Sequence, residues 1–196
     1  MIIKIKNDLL KILPSFNIIA YTMDVTLASS DVTEQLIKTY ERKISEEYSL
    51  AEVLNIPLIK AARDSYKALG KDPSRYRLAC ESLLRRIVKG NQLYRINNVV
   101  DVGNLLSIEL FRSTAILDRE KIVGDINIRI GNENDEYYGI GRGLINVTNI
   151  PLYVDEVSPF GSPTSDTERT MITDSTKSIL LMIICFDGGL NKEETE

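Results

Sequence analysis

No histidine occurs in the 196 residues of the chain. That absence removes the Ser-His-Asp and Cys-His relays, the H-E-x-x-H zinc site and the imidazole general base together. Any chemistry falls to carboxylates, amides, hydroxyls or the substrate itself. Cysteine is almost as scarce. Cys80 lies in a helical pattern and Cys185 in the apolar run 179–186, so both read as small buried hydrophobes rather than as a bridge or a metal pair. No metal and no cofactor is expected, and a reducing cytoplasm suits the composition. Nor does any run approach the roughly 20 apolar residues of a membrane span. The opening M-I-I-K-I-K-N-D threads charges through a short apolar alternation, so the expectation is a soluble, unprocessed, cytoplasmic protein with no membrane partner.

The length suits one sizeable domain able to bury a core without staples. A net charge of −4 argues against a general nucleic-acid coat, and DNA is not expected as a partner. The charge is uneven, however. Residues 60–95 hold ten basic side chains (Lys60, Arg63, Lys67, Lys71, Arg75, Arg77, Arg85, Arg86, Lys89, Arg95) against three acidic ones, Asp64, Asp72 and Glu81. Such a block is either a solvated helix face or a phosphate-binding surface.

Strand signals open the chain at Ile3 and Ile5 and again over 17–27, with a short turn or helix over 8–13 between them. Asp31, with Glu34 reaching back, predicts a capped helix whose buried face carries Leu36, Ile37, Tyr40 and Ile44. A second helix starts after Pro57 and stops at Gly70. For the third, Asp72 is the expected cap, Pro73 the first residue, Cys80, Leu84 and Ile87 part of the stripe and Gly90 the end, with the basic block along the other face. After residue 110 strands dominate. Alternation runs through Ile126, Ile128 and Ile130, a polar turn covers 131–136, and a glycine-spaced return leads to a strand over 144–154. Residues 159–173 read as a loop, 178–186 as a last buried strand or inward helix, and 191–196 as a disordered tail. Gly139-Ile-Gly141-Arg-Gly143 has dinucleotide-fingerprint spacing, but the next residues are strand-forming, so turn glycines are the reading.

Between the two halves lies the run 95–110, R-I-N-N-V-V-D-V-G-N-L-L-S-I-E-L. Its amides and its aspartate sit in an apolar stretch, where each buried polar group needs a partner or costs roughly 1–3 kcal/mol. It is therefore a structural hub or a pocket wall. Asp101 reads first as a helix cap, and Asn104 as a cap or a pocket group.

The sequence Arg95-Ile-Asn-Asn-Val-Val-Asp-Val-Gly-Asn, with Glu109-Leu110 and Asp118 beyond it, resembles the signature of the tRNA-editing domain in the beta subunit of bacterial phenylalanyl-tRNA synthetase. The lead-in S-L-L-R-R-I-V-K-G and the later D-S-T-K-S-I-L-L-M-I-I-C-F are similar to that family as well, so the likeness spans roughly 60–186. It implies an α+β fold of layered mixed β-sheets packed with helices, with a helical N-terminal half and a β-rich C-terminal half. As one domain over 1–190, its strands would fall in 1–30, its helices in 31–90 and its pocket and sheets in 91–190. It also implies a free-standing editing domain, without an aminoacylation core, that binds the tRNA acceptor end and hydrolyses mischarged aminoacyl esters. By the same resemblance Asn98 and Asn104 belong to the substrate pocket. Counted from Asn104, the family's pocket histidine falls on Ala115 and its glutamate on Met182. A pocket lacking those partners discriminates apolar shapes by only ~10–200-fold. Glu168 and Arg169, on a loop closing the pocket, are its expected polar members, and Arg77, Arg85, Arg86, Lys89 and Arg95 are expected to hold phosphates. A non-catalytic module binding RNA, an amino acid or a partner on the same fold remains open.

Overall fold

The computed structural model describes residues 1–189; the tail expected over 191–196 lies outside them. Strand β1 (Ile3–Ile5), helix α1 (Asn7–Ile12) and strand β2 (Asn17–Asp24) come first. Five helices come next: α2 (Glu34–Glu47), α3 (Leu50–Asn55), α4 (Pro57–Ala68), α5 (Ala79–Val88) and α6 (Asn98–Glu109). The remainder is strand: β3 (Thr114–Asp118), β4 (Ile126–Ile130), the hairpin β5 (Glu136–Gly139) and β6 (Gly143–Asn146), then β7 (Pro151–Val154), β8 (Pro159–Ser162), β9 (Ser165–Asp166) and β10 (Ser178–Cys185). The fold is α+β, with helices mostly N-terminal and strands mostly C-terminal. None of the described helices is long and apolar enough to cross a membrane.

Three layers result. A five-stranded sheet runs β1-β4-β7-β8-β9, with only β1 and β4 parallel, and a three-stranded antiparallel sheet runs β2-β10-β3. Side chains of β10 alternate between its two faces, as a period of two requires. Leu180, Met182 and Ile184 point between the sheets, where they meet Leu9, Ala115, Leu117, Ile126, Ile128 and Phe160. Leu181, Ile183 and Cys185 face the other way, onto Leu106 of α6 and Leu110 just after it. The opposite side of α6 presents Leu105 and Ile108 to the helical cluster of Ile37, Ile44, Val53, Ile59, Leu84 and Ile87. A helix packed on two opposite sides cannot gather its apolar residues into one stripe, which is why the valines, leucines and isoleucine of 98–109 are spread around it.

Several local expectations change. Asp31 does not cap α2. The Ser29 hydroxyl accepts the Asp31 N–H ahead of a short 3-10 turn, and Thr33, in helical rather than extended backbone, precedes the helix without a side-chain cap, its hydroxyl donating to buried Asp101 at 3.0 Å. Helix α3, not anticipated, starts at a capping box: Ser49 accepts the Glu52 N–H, and Glu52 accepts the Ser49 N–H at 2.7 Å. The third expected helix starts at Ala79 rather than after Asp72. Asp72 accepts the Ser74 N–H in a turn, Lys71 sits over the Tyr76 ring, and the Ala79 N–H is drawn to the Pro163 carbonyl. Residues 159–173 are not a free loop either, since they form β8, β9 and a 3-10 turn with Phe160, Ser162, Thr164 and Thr170 buried. Buried tyrosines make this polar composition tolerable: Tyr66 bonds Thr164 at 2.9 Å, and Tyr137 bonds Ser162 at 2.7 Å.

One ion pair is buried inside the helical layer. Glu81 is fully enclosed and receives Arg63 Nη1 at 2.8 Å and Arg85 Nη1 at 3.5 Å. Lys60 and Asp64, by contrast, pair at 2.7 Å with side chains 67% and 44% exposed. Arg63→Met, which leaves the buried carboxylate only the longer contact to Arg85, is expected to cost about 3 kcal/mol in urea unfolding, and Lys60→Met under about 1 kcal/mol.

Candidate functional site: an apolar cavity beside α6

Every polar group along the hub but one has found a partner. Asn97 caps α6, its Oδ1 accepting the N–H groups of Val99 and Val100 at 3.1 and 3.0 Å. Asn98 clamps the segment after β2, accepting the Ala28 N–H at 2.8 Å and donating to the Thr26 carbonyl at 3.0 Å. Asp101 is not the cap; it is buried in the first turn and accepts the Ile96 N–H at 3.0 Å together with the Thr33 hydroxyl. Ser107 donates to the Arg112 carbonyl at 2.7 Å. The side-chain amide of half-buried Asn104 alone makes no hydrogen bond among the described residues.

Asn104 faces a cavity of about 200 Å³, bounded by Ile96, Val100, Thr114, Ile116, Ile140, Asp166, Met171 and Ile172. The walls are apolar, and the exposed side chains of Ile96 and Ile140 mark its rim. The volume is small beside the roughly 300–1,000 Å³ of drug-sized ligand sites, and suits an amino-acid side chain rather than a nucleotide. Three elements converge here. The hydroxyl of Thr114 on β3 donates to the Gly103 carbonyl at 3.0 Å, tying the strand to α6. A Cβ at Gly103 would lie 2.4 Å from Ile116 Cγ1, so glycine is what lets helix and strand come this close. From the other side, the Ile140 N–H donates to the Asp166 carbonyl at 3.0 Å, docking the tip of the β5–β6 hairpin on β9.

Asp166 is not singled out by sequence reading, because a carboxylate in a stretch rich in Pro, Gly, Ser and Thr looks solvated. It pairs with Gly161 across the β8–β9 turn, where a Cβ on Gly161 would lie 2.6 Å from its Oδ1. That oxygen is buried with no hydrogen-bond partner, and the neighbouring Tyr153 hydroxyl is in the same condition. Burial pushes the Asp166 carboxyl up from the ordinary range to about 8.

The other expected site residues lie elsewhere. Ala115 and Met182 are register partners between β3 and β10, and both point into the core between the sheets, away from this cavity. Their neighbours Thr114 and Ile116 face it instead, since one residue along a strand reverses the face. Arg169 is locked to Asp155, with Nη2–Oδ1 at 2.9 Å and Nη1–Oδ2 at 3.1 Å, and exposed Glu168 borders a separate groove with Glu136, Tyr138 and Ser158. Of the segment 160–170 expected to close a pocket, Asp166 lines this cavity and Glu168 and Arg169 do not; Met171 and Ile172, just beyond that segment, line it as well. Among the described residues no cluster of potential metal ligands occurs.

The basic block is largely engaged within the protein. Arg95 binds Glu34 at 2.8 Å and Glu41 at 3.0 Å, and its guanidinium holds the Glu34 carboxyl down at about 2, with Lys38 contributing. Arg85 is on Glu81, and Arg86 stacks 3.9 Å over the Tyr94 ring while donating to its hydroxyl and to the Gln92 carbonyl. Lys71 is buried against the carbonyls of Asn146 and Thr148. Arg75, Arg77 and Lys89 stay exposed, without ion pairs among the described residues.

The family model of the B3/4 domain matches residues 61–194, more than half of the chain. The chain belongs to the B3/4 domain family. The match takes in the hub helix, the cavity and most strands of both main sheets. Among solved structures, the chain is similar to an N-terminal fragment of the phenylalanyl-tRNA synthetase beta-subunit from Pyrococcus horikoshii. The identity is 14% and the TM-score 0.40, over 49% of this chain and 35% of that one, so this chain spans about a third of the length of the fragment. No curated protein matches the chain.

Two substitutions probe this B3/4 core. Gly103→Ala should lower the melting temperature despite the ~1 kcal/mol gain in helix propensity, because overpacking against Ile116 costs about 1–3 kcal/mol. Asp166 in the unfolded chain titrates near about 3.9, whereas in the folded protein it titrates at about 8. Between those values the folded state holds the extra proton, so this group's contribution to stability falls as pH rises, then levels off. Asp166→Asn should therefore stabilise progressively from pH ~4 to ~8 in thermal melts; a gain independent of pH would contradict the assignment.

Proposed function

We propose that this B3/4 protein binds the aminoacylated 3′ end of tRNA and hydrolyses mischarged aminoacyl esters in trans, acting in translation in the cytoplasm. The observation that carries the reading is the unpaired Asn104 amide in an apolar cavity of about 200 Å³. An amide left free where its neighbours are all satisfied is suited to a ligand's carbonyl or hydroxyl, and the walls around it to an apolar side chain. Membership of the B3/4 family supports the same reading.

The chemistry available is modest. With no histidine in the sequence, the chain offers no imidazole base. Hydrolysis then rests on a water oriented beside the bound ester, assisted by the terminal ribose hydroxyl of the substrate, which is a positioning mechanism. Exposed Arg77 and Lys89 would take backbone phosphates. The Tyr94 ring, 62% exposed and backed by Arg86, would offer a stacking surface to an unpaired base.

A second reading is a binding module without chemistry. It is favoured by the internal pairing of Arg85 and Arg95, which leaves fewer charges for RNA than the sequence suggests. Ester release from a panel of mischarged tRNAs separates the two. The editing reading expects release above buffer, reduced about tenfold by Asn104→Ala, the value of one hydrogen bond near 1.4 kcal/mol. Salt-sensitive tRNA binding without ester release would leave the module reading, and no tRNA binding would remove both RNA readings.

A further inference from the structure

We propose that β2 is a docking edge for a second copy of this chain, the two β2 strands pairing antiparallel about a two-fold axis at Tyr21. The three-stranded sheets of the two copies would then join into one continuous sheet. The inference is independent of the aminoacyl-ester reading.

Strand β2 stands at the end of its sheet, with β10 on one side and, among the described residues, no strand on the other. It pairs with β10 along its whole length without a register shift, and all of its residues but Ile18 and Ile19 are exposed. Which main-chain groups face outward follows from one hydrogen bond. Val25, just past the strand and opposite Lys177 in the register, donates its N–H to the Lys177 carbonyl at 2.8 Å. Bonded and non-bonded pairs alternate along an antiparallel ladder. Asn17, Ile19, Tyr21 and Met23 therefore turn their N–H and C=O groups to β10, and Ile18, Ala20, Thr22 and Asp24 turn theirs to the open side. Outside the ladder these groups have no hydrogen-bond partner among the described residues.

Proteins usually blunt such an edge with lysine, proline, a bulge or brevity. The other edges here are protected: β1 has 3 residues and includes Lys4, β9 has 2, and β3 is buried or half-buried throughout. By contrast β2 has 8 residues with no lysine, proline or bulge, and Asp24 is its only charge. An edge left open in this way is suited to the addition of another strand.

The outward positions identify the strand that fits. Ile18, Ala20, Thr22 and Asp24 are placed symmetrically about Tyr21, so a second β2 laid antiparallel with Tyr21 opposite Tyr21 meets every one of them, Ile18 with Asp24 and Ala20 with Thr22. No other centre of self-pairing uses them all. On the side facing α6, Ile19 comes opposite Met23 and the two Tyr21 side chains are direct neighbours, cross-strand pairs of the stabilising kind. Asp24 meets Ile18 rather than its own copy, so like charges stay apart. The same side carries an apolar hollow of about 200 Å³ between β2 and α6, walled by Met23, Val25, Val102 and Leu106 among others. Tyr21, Met23 and Val102 are exposed, and Ile19 of the second copy would lie against Met23 at the border of that hollow.

Sedimentation velocity of the full chain, loaded from about 1 µM to about 1 mM, should show a concentration-dependent monomer–dimer equilibrium. Ala20→Pro removes an outward N–H and none that is bonded to β10, as an edge strand tolerates. It should keep a cooperative melt and raise the dimer dissociation constant at least about tenfold. Cysteine substitutions report the register separately. In Tyr21→Cys the new thiols meet in a non-hydrogen-bonded pair with Cα atoms roughly 4.5 Å apart, and diamide should link the copies into a covalent dimer. In Ala20→Cys they lie diagonally, roughly 7–8 Å apart, and the link should not form. A chain monomeric over the whole range, undiminished dimerisation of folded Ala20→Pro, or cross-linking of Tyr21→Cys no faster than of Ala20→Cys would each overturn the proposal. If Ala20→Pro melts early, the cysteine pair decides by itself.

Discussion

The contact between α6 and β3, closed to van der Waals distance at Gly103, is the constraint on which the rest of this protein depends. Because the three-stranded sheet covers one side of the helix and other helices cover the opposite side, almost every position along 98–109 is committed to packing. Polar groups in such a helix survive only with assigned partners. Asn97 takes the cap, Asn98 the segment after β2, Asp101 the Thr33 hydroxyl and Ser107 the turn after the helix. The amide that remains, Asn104, opens on a cavity, and the same close approach of helix and strand forms its floor.

Charge is distributed by the same logic of enclosure. A run with ten basic residues looks like an electrostatic surface when written as a sequence. In three dimensions Arg63 and Arg85 neutralise buried Glu81, Arg95 holds together the start of α2 and the extended lead into α6, and Lys71 fastens the β6–β7 turn. Much of the apparent basic face is internal cement. Within that run, the basic side chains left exposed and without ion pairs among the described residues are few: Arg75, Arg77 and Lys89.

Helix and strand periodicity is legible where burial is one-sided: Ile37 and Ile44 in α2, Cys80, Leu84 and Ile87 in α5, and the alternation of β4 all lie in the cores that their spacing predicts. The capping box at Ser49 is a local S-x-x-E pattern and equally legible in principle, but the helix it starts is only six residues long and carries a weak periodic signal. The start of α5 and the segment 159–173 are not legible. Their boundaries depend on contacts made far along the chain, such as the Ala79 N–H to Pro163 and Tyr66 to Thr164.

By itself the sequence determined the exclusions and the family: no imidazole chemistry, an α+β order of elements and a hub signature that a B3/4 model matches. These depend on composition and local order, which need no partner to be read. Only the tertiary structure decided which polar groups are free. A strand's alternation places Ala115 and Met182 in the core, and Thr114 and Ile116 toward the cavity. Whether a carboxyl is paired depends on side chains that the fold brings from elsewhere, and that is why Arg169 is a clamp on Asp155 while the buried Oδ1 of Asp166 has no partner.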